Sequence, residues 1–111
     1  MNTIDTAQLR ARLAAGRRPW LVHAAEAMSF RSSHLPGAVA FGEAEQAAAF
    51  LRADDVIVVY GFDGACRTSR ALADELSERG FAHVSWYAEG LEGWLAAGGQ
   101  VEGAEAVRGI S

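Results

Sequence analysis

An α/β fold with a central, mainly parallel sheet flanked by helices on both faces is what this sequence predicts. Strand and helix signals alternate along the chain, the pattern left by parallel strands joined through helical crossovers. The most apolar run, Val56-Ile57-Val58-Val59-Tyr60, reads as a central strand buried on both faces. Gly16, Gly80 and the pair Gly98-Gly99 stand where helical stretches should stop. The chain has 111 residues, of which 50% are hydrophobic. That is enough for one core without staples, so one domain over residues 1–111 is expected.

Taken in order, Asp5 followed by Gln8 reads as a capping box, and Leu9 and Leu13 then share one helical face. Trp20-Leu21-Val22 is a short buried strand. A polar segment from Ser29 to His34 leads into the turn Leu35-Pro36-Gly37, and Val39 to Phe41 forms a further strand. Glu43 to Leu51 carries helix formers, with Ala47, Phe50 and Leu51 as its apolar stripe. Asp54-Asp55 punctuates before the central strand. After the loop Gly61-Phe62-Asp63-Gly64-Ala65, a helix from about Cys66 or Arg67 to Arg79 should bury Leu72 and Leu76. Val84 to Tyr87 is the next strand, and Glu89-Gly90 turns into a last short helix through Leu91, Trp94 and Leu95. No repeat, linker or low-complexity tract interrupts the pattern.

Composition excludes several functions. Ten Arg and no Lys stand against fourteen acidic residues, a formal net charge of −4. Nucleic-acid binding needs a clustered basic face, and the only adjacent basic pair is Arg17-Arg18. No apolar run approaches the roughly 18 residues of a membrane span, and the polar Asn2, Thr3 and Asp5 do not open a secretory signal. Neither nucleic acid nor membrane is an expected partner. With one cysteine, Cys66, there is no intrachain disulfide and no cysteine-based zinc cage. The three histidines show no ligand spacing, so no metal and no organic cofactor are expected. A reducing cytoplasm is the expected compartment.

Chemistry is expected between Tyr60 and Arg70, where a buried strand meets a helix N-terminus through a loop with two glycines. Ligands of open α/β sheets bind at the carboxyl ends of the strands, and a helix start there offers unpaired N–H groups to an anion. Gly61 and Gly64 allow several N–H groups to converge, and Arg67 and Arg70 add positive charge. A small oxyanion, or a thiolate with its sulfur adduct, suits this place. Cys66 has two readings: a thiolate favoured by the helix start and Arg67, or a small, partly buried filler. Arg67 and Arg70 are either anion ligands or solvated helix residues. Thr68 and Ser69 read as helix caps. His34 reads as structural, His83 as surface, and His23 as a loop partner or a base. Trp86, Tyr87 and Trp94 read as packing residues.

The chain resembles the rhodanese-like (sulfurtransferase) domain family over almost its whole length. The resemblance rests on Leu21-Val22, then Phe30, then His34-Leu35-Pro36-Gly37-Ala38, where the family has a phenylalanine and a His-Ile-Pro-Gly-Ala turn. Val58-Val59-Tyr60-Gly61 matches the family's Val-Val-Tyr-Cys. Gly80-Phe81, Val84, Gly90, Trp94, Gly99 and Val101 match its later positions. The resemblance implies that the sulfur-carrying cysteine should follow Tyr60, where this chain has Gly61. Some relatives carry a longer loop with a second cysteine and a serine, and Cys66 and Ser69 match those two. An Asp and an Arg that support the loop in relatives are replaced by His23 and Ala25.

Three functions follow as expectations. The first is a non-catalytic module that binds a protein partner or a small anion through the loop formed by Gly61, Phe62, Asp63, Gly64, Ala65, Arg67, Thr68, Ser69 and Arg70. The second is an atypical sulfurtransferase carrying a persulfide on Cys66, with a small sulfur-containing anion or a thiol as substrate. The third, a phosphatase-like activity, needs a Cys-x5-Arg signature. Leu72 stands where that arginine would be.

Overall fold

The computed structural model describes residues 2–16, 18–24 and 33–103. Along the chain it has β1 (Asn2–Ile4), α1 (Thr6–Ala14), β2 (Trp20–His23), β3 (Val39–Ala40), α2 (Ala44–Phe50), β4 (Val56–Tyr60), α3 (Arg67–Glu78), β5 (His83–Tyr87) and α4 (Gly90–Ala96). The five strands form one sheet in the order β1-β5-β4-β2-β3, every pair parallel. Arg17, Ala25, Phe30 and most of the polar stretch before His34 lie outside the described residues.

Strand β4 is central and reads out the two faces by alternation. Ile57 and Val59 pack with Val22, Val84 and the α2–α3 side, against Ala47, Leu51, Leu72 and Leu76. Val58 and Tyr60 point the other way, into Ile4, Leu21, Tyr87 and the α1–α4 side, against Leu9, Leu91 and Trp94. None of Ile57, Val58, Val59 and Tyr60 retains exposed surface, which is why the run is apolar throughout rather than alternating.

Local signals act where they were expected. The Asp5 carboxylate accepts the Gln8 N–H at 2.8 Å and the Gln8 side-chain oxygen accepts the Asp5 N–H at 2.9 Å, closing the capping box. Gly16, Gly80 and Gly98 follow their helices at φ +79°, +101° and +81°. His34 and Glu102 exchange backbone hydrogen bonds at 2.9 Å each way, and the Glu102 side chain accepts the Gly37 N–H at 3.0 Å. His34 thus has the structural role expected of it, holding the turn that carries Leu35.

Three elements differ from expectation: in β2, Leu21 and Val22 are buried but Trp20 is exposed. β1 is an unforeseen strand; only Ile4 of its three residues is buried, so it shows no hydrophobic period, and its pairing comes from β5. In α2, Ala47 and Leu51 enter the core but Phe50 stays 52% exposed, set edge-on to Trp20 at 5.0 Å between ring centroids. Leu51 leaves the helix in an extended conformation (φ −91°, ψ 157°) and so turns back to the core in place of Phe50. Among the described residues, no helix is long and apolar enough to cross a membrane.

Candidate functional site

The segment from Gly61 to Arg70 lies at the carboxyl end of β4, the edge of a parallel sheet where ligands bind. Asp63 folds the loop: its side chain accepts the Ala65 N–H at 3.0 Å and its carbonyl accepts the Cys66 N–H at 3.1 Å. The Ala65 N–H is therefore spent on the loop itself rather than offered to an anion. From outside, α4 holds the other half. The Leu91 N–H donates to the Gly61 carbonyl at 2.9 Å and the Glu92 N–H to the Phe62 carbonyl at 2.8 Å. The first N–H groups of α4 thus find acceptors in the loop.

Cys66 is the N-cap residue of α3 and is half-buried. Its sulfur fills the space left by the missing side chain of Gly61. A Cβ built on Gly61 would lie 2.3 Å from Cys66 Sγ, 2.8 Å from Cys66 Cβ and 3.1 Å from Ser69 Oγ. The only thiol of the chain is thereby placed against the end of β4, although Cys66 stands five positions later in sequence.

The helix start is not capped by a side chain, which corrects the expectation for Thr68 and Ser69. The fully buried Ser69 hydroxyl donates instead to the Cys66 carbonyl at 3.0 Å and accepts the Trp86 indole N–H at 3.0 Å. Ser69 is the third helical residue, so its hydroxyl reaches backwards along the chain to a carbonyl rather than accepting N–H bonds from the next turn. The first-turn N–H groups of α3 have no intrahelical acceptor.

The remaining expected site residues divide by location. Arg70 is exposed, with its guanidinium over the Trp86 ring at 5.6 Å. It stands four residues after the N-cap Cys66, in the first turn of α3. Arg67 is exposed, and Phe62 stands out on the loop with 61% of its surface free. A Cβ built on Gly64 would lie 3.5 Å from the Ala88 carbonyl oxygen, an ordinary contact. Thr68 turns away to line a cleft with Glu43 and Glu45 of the α2 start. Trp86 packs against the α3-side core as the sequence suggests, and its indole N–H bond to Ser69 is what sequence reasoning missed. The signal was its register: in β5 it pairs with Val59, on the face that α3 covers.

His23 ends β2 beside the loop, buried and edge-on to Tyr60 at 5.0 Å between ring centroids. Burial, reinforced by His34 nearby, pushes its pKa down to about 4 from the usual 6.5. It is therefore neutral in the fold at neutral pH. Burial raises Tyr60 well above the ordinary tyrosine range, and its hydroxyl accepts the Leu35 N–H at 3.0 Å. Because the folded pKa of His23 lies below its unfolded value, unfolding allows it to take up a proton. Its share of stability is present above pH 6.5 and falls away as pH drops towards 4, by up to about 3 kcal/mol. Urea melts between pH 7 and pH 4 should show wild type losing that much more than His23→Leu. Equal slopes for the two proteins would refute it.

The rhodanese-like domain family model matches residues 5–97. The rhodanese-like domain of the Alr3790 protein from Anabaena sp. superposes with a TM-score of 0.87 at 27% identity, covering 97% of this chain and 83% of that one. A thiosulfate sulfurtransferase from Pseudomonas aeruginosa, also 27% identical, superposes with a TM-score of 0.77 over 93% of this chain and 20% of its own. A human single-domain sulfurtransferase shares the fold at 22% identity, with a TM-score of 0.76 over 86% of this chain and 96% of that one. A search among curated proteins found no match.

Proposed function

The chain belongs to the rhodanese-like domain family, and from that premise we propose that it is a sulfurtransferase whose sulfur carrier is Cys66. The observation that supports this reading is the Cys66 sulfur seated 2.3 Å from where a Gly61 side chain would begin. The family's carrier cysteine follows the tyrosine of this strand, the position of Gly61 here. A thiol reaching that place from position 66 meets the same loop and the same helix start. Cys66 is half-buried rather than sealed within the core, as a thiol that is to meet a small anion must be.

The chemistry proceeds in two displacements. The Cys66 thiolate attacks the outer sulfur of thiosulfate; the S–S bond of the donor breaks and sulfite leaves with the electron pair. Cys66 then carries a persulfide. A thiophilic acceptor attacks the outer sulfur of that persulfide, and the Cys66 thiolate is released. The first-turn N–H groups of α3 stabilise the terminal sulfur, and Arg70 or Arg67 orients the anionic donor.

The experiment is sulfur transfer from thiosulfate to cyanide, with intact mass measured after thiosulfate alone. Wild type should gain one sulfur atom and turn over, and Cys66→Ser should do neither, a loss of at least about a hundredfold, as removing a covalent nucleophile demands. A folded wild-type protein that takes up no sulfur would overturn the proposal. It would leave the competing reading, a non-catalytic module that binds an anion or a partner protein through the same loop.

A further inference from the structure

We infer that Trp86 is the positioning residue of this site, holding both the backbone of the nucleophile and the Arg70 cation that meets an anionic donor. One indole does two things. Its N–H donates at 3.0 Å to the buried Ser69 hydroxyl, which in turn donates at 3.0 Å to the Cys66 carbonyl. Its ring lies under the Arg70 guanidinium at 5.6 Å. The first contact acts on the backbone of the N-cap residue, because a hydroxyl whose oxygen is held by Trp86 has its proton aimed at Cys66. The second holds a long, exposed side chain that would otherwise sample many rotamers in water.

Strand β5 is the rigid partner in this arrangement. Trp86 sits between the paired residues Ser85 and Tyr87, hydrogen-bonded along β4 and β1, whereas Cys66 and Arg70 sit on the first turn of a helix with no side-chain cap. Position therefore passes from the sheet to the helix start. Arg70 rather than Arg67 is the cation that meets an anionic donor, since its guanidinium rests on the indole whose N–H reaches Cys66 through Ser69.

This inference rests on Cys66 as the reacting thiol, but it is tested without sulfur transfer. The second-order rates of Cys66 alkylation by neutral iodoacetamide and by anionic iodoacetate are compared. The ratio of iodoacetate to iodoacetamide rates reports the cation beside the sulfur, a quantity that a merely structural tryptophan would not control. Trp86→Leu and Arg70→Ala should each lower the ratio three- to tenfold, and the double variant no further. Trp86→Phe and Ser69→Ala should change both rates alike, by about threefold or more, while leaving most of the ratio. Melting curves establish that each variant is folded.

An unchanged ratio in Trp86→Leu, or in Arg70→Ala, would overturn the inference. So would a full Arg70→Ala effect in the Trp86→Leu background. If Trp86→Leu does not fold, Trp86→Phe carries the test, and rates equal to wild type with both reagents refute the link through Ser69. A protein that shows the charge preference but takes no sulfur from thiosulfate keeps this inference and loses the sulfurtransferase reading.

Discussion

Moving the thiol from position 66 to position 61 is expected to preserve sulfur uptake, while either change alone abolishes or impairs it. In Gly61→Cys/Cys66→Gly the two atoms that crowd position 61, Cys66 Sγ at 2.3 Å and Cys66 Cβ at 2.8 Å, are gone. Of the three nearest atoms Ser69 Oγ at 3.1 Å remains, and it must shift by a few tenths of an ångström while keeping its bond to Trp86. The Gly61 backbone is not in the left-handed region, so a side chain there carries no conformational penalty. Glycine is also well tolerated at an N-cap, the place of residue 66. Gly61→Cys alone overfills the loop. It should cost about 1–3 kcal/mol and drive the Cys66 side chain out of its seat. Cys66→Gly alone should take up no sulfur. Intact mass after thiosulfate decides: one added sulfur on the double variant is expected, and an inert double variant beside an active wild type would show that the two positions do not present sulfur to the same site.

The same crowding explains what the sequence could and could not reveal. Elements defined by local chemistry were legible: the Asp5–Gln8 capping box, the all-apolar β4, and the glycines that end α1 and α3. Each depends on residues close in sequence. β1 was not legible, because three residues with one buried side chain have no period and take their strand geometry from Ser85 to Tyr87, far along the chain. Within the site, the loop and its helix start followed from the Gly61–Gly64 pair and the strand before it. The contact between Cys66 and Gly61 did not, since the four intervening residues admit many loop shapes and the bonds of Asp63 and α4 select one. Ser69 looked like a cap because serine near a helix start usually is one. Its hydroxyl is claimed instead by an indole from a neighbouring strand, a tertiary contact that overrides the local preference.

Gly90→Ala should be among the most damaging single substitutions outside the thiol, because it strikes the joint between fold and site. Gly90 has φ +63°, in the left-handed region, where a side chain costs about 1–2 kcal/mol. An added Cβ would also lie 2.6 Å from the Gly61 carbonyl oxygen and 2.8 Å from that of Phe62. Those are backbone atoms, unable to rotate aside, and they accept the Leu91 and Glu92 N–H groups that hold the loop. Relief therefore requires the loop and α4 to separate, with both hydrogen bonds strained or lost. The combined cost should be about 3 kcal/mol or more, a fall in Tm of roughly 10 °C or more. Gly64→Ala supplies the contrast within the same loop. Its Cβ would meet the Ala88 carbonyl at 3.5 Å, an ordinary contact, with no left-handed backbone to strain. Gly64→Ala should therefore melt within a few degrees of wild type, in keeping with a change of less than about 1 kcal/mol. Equal losses at the two glycines would mean that general loop flexibility matters here. A loss confined to Gly90 would place the stability of the reactive loop in its clasp on α4, and Cys66 alkylation in any Gly90→Ala protein that still folds should then lose its single, well-defined rate.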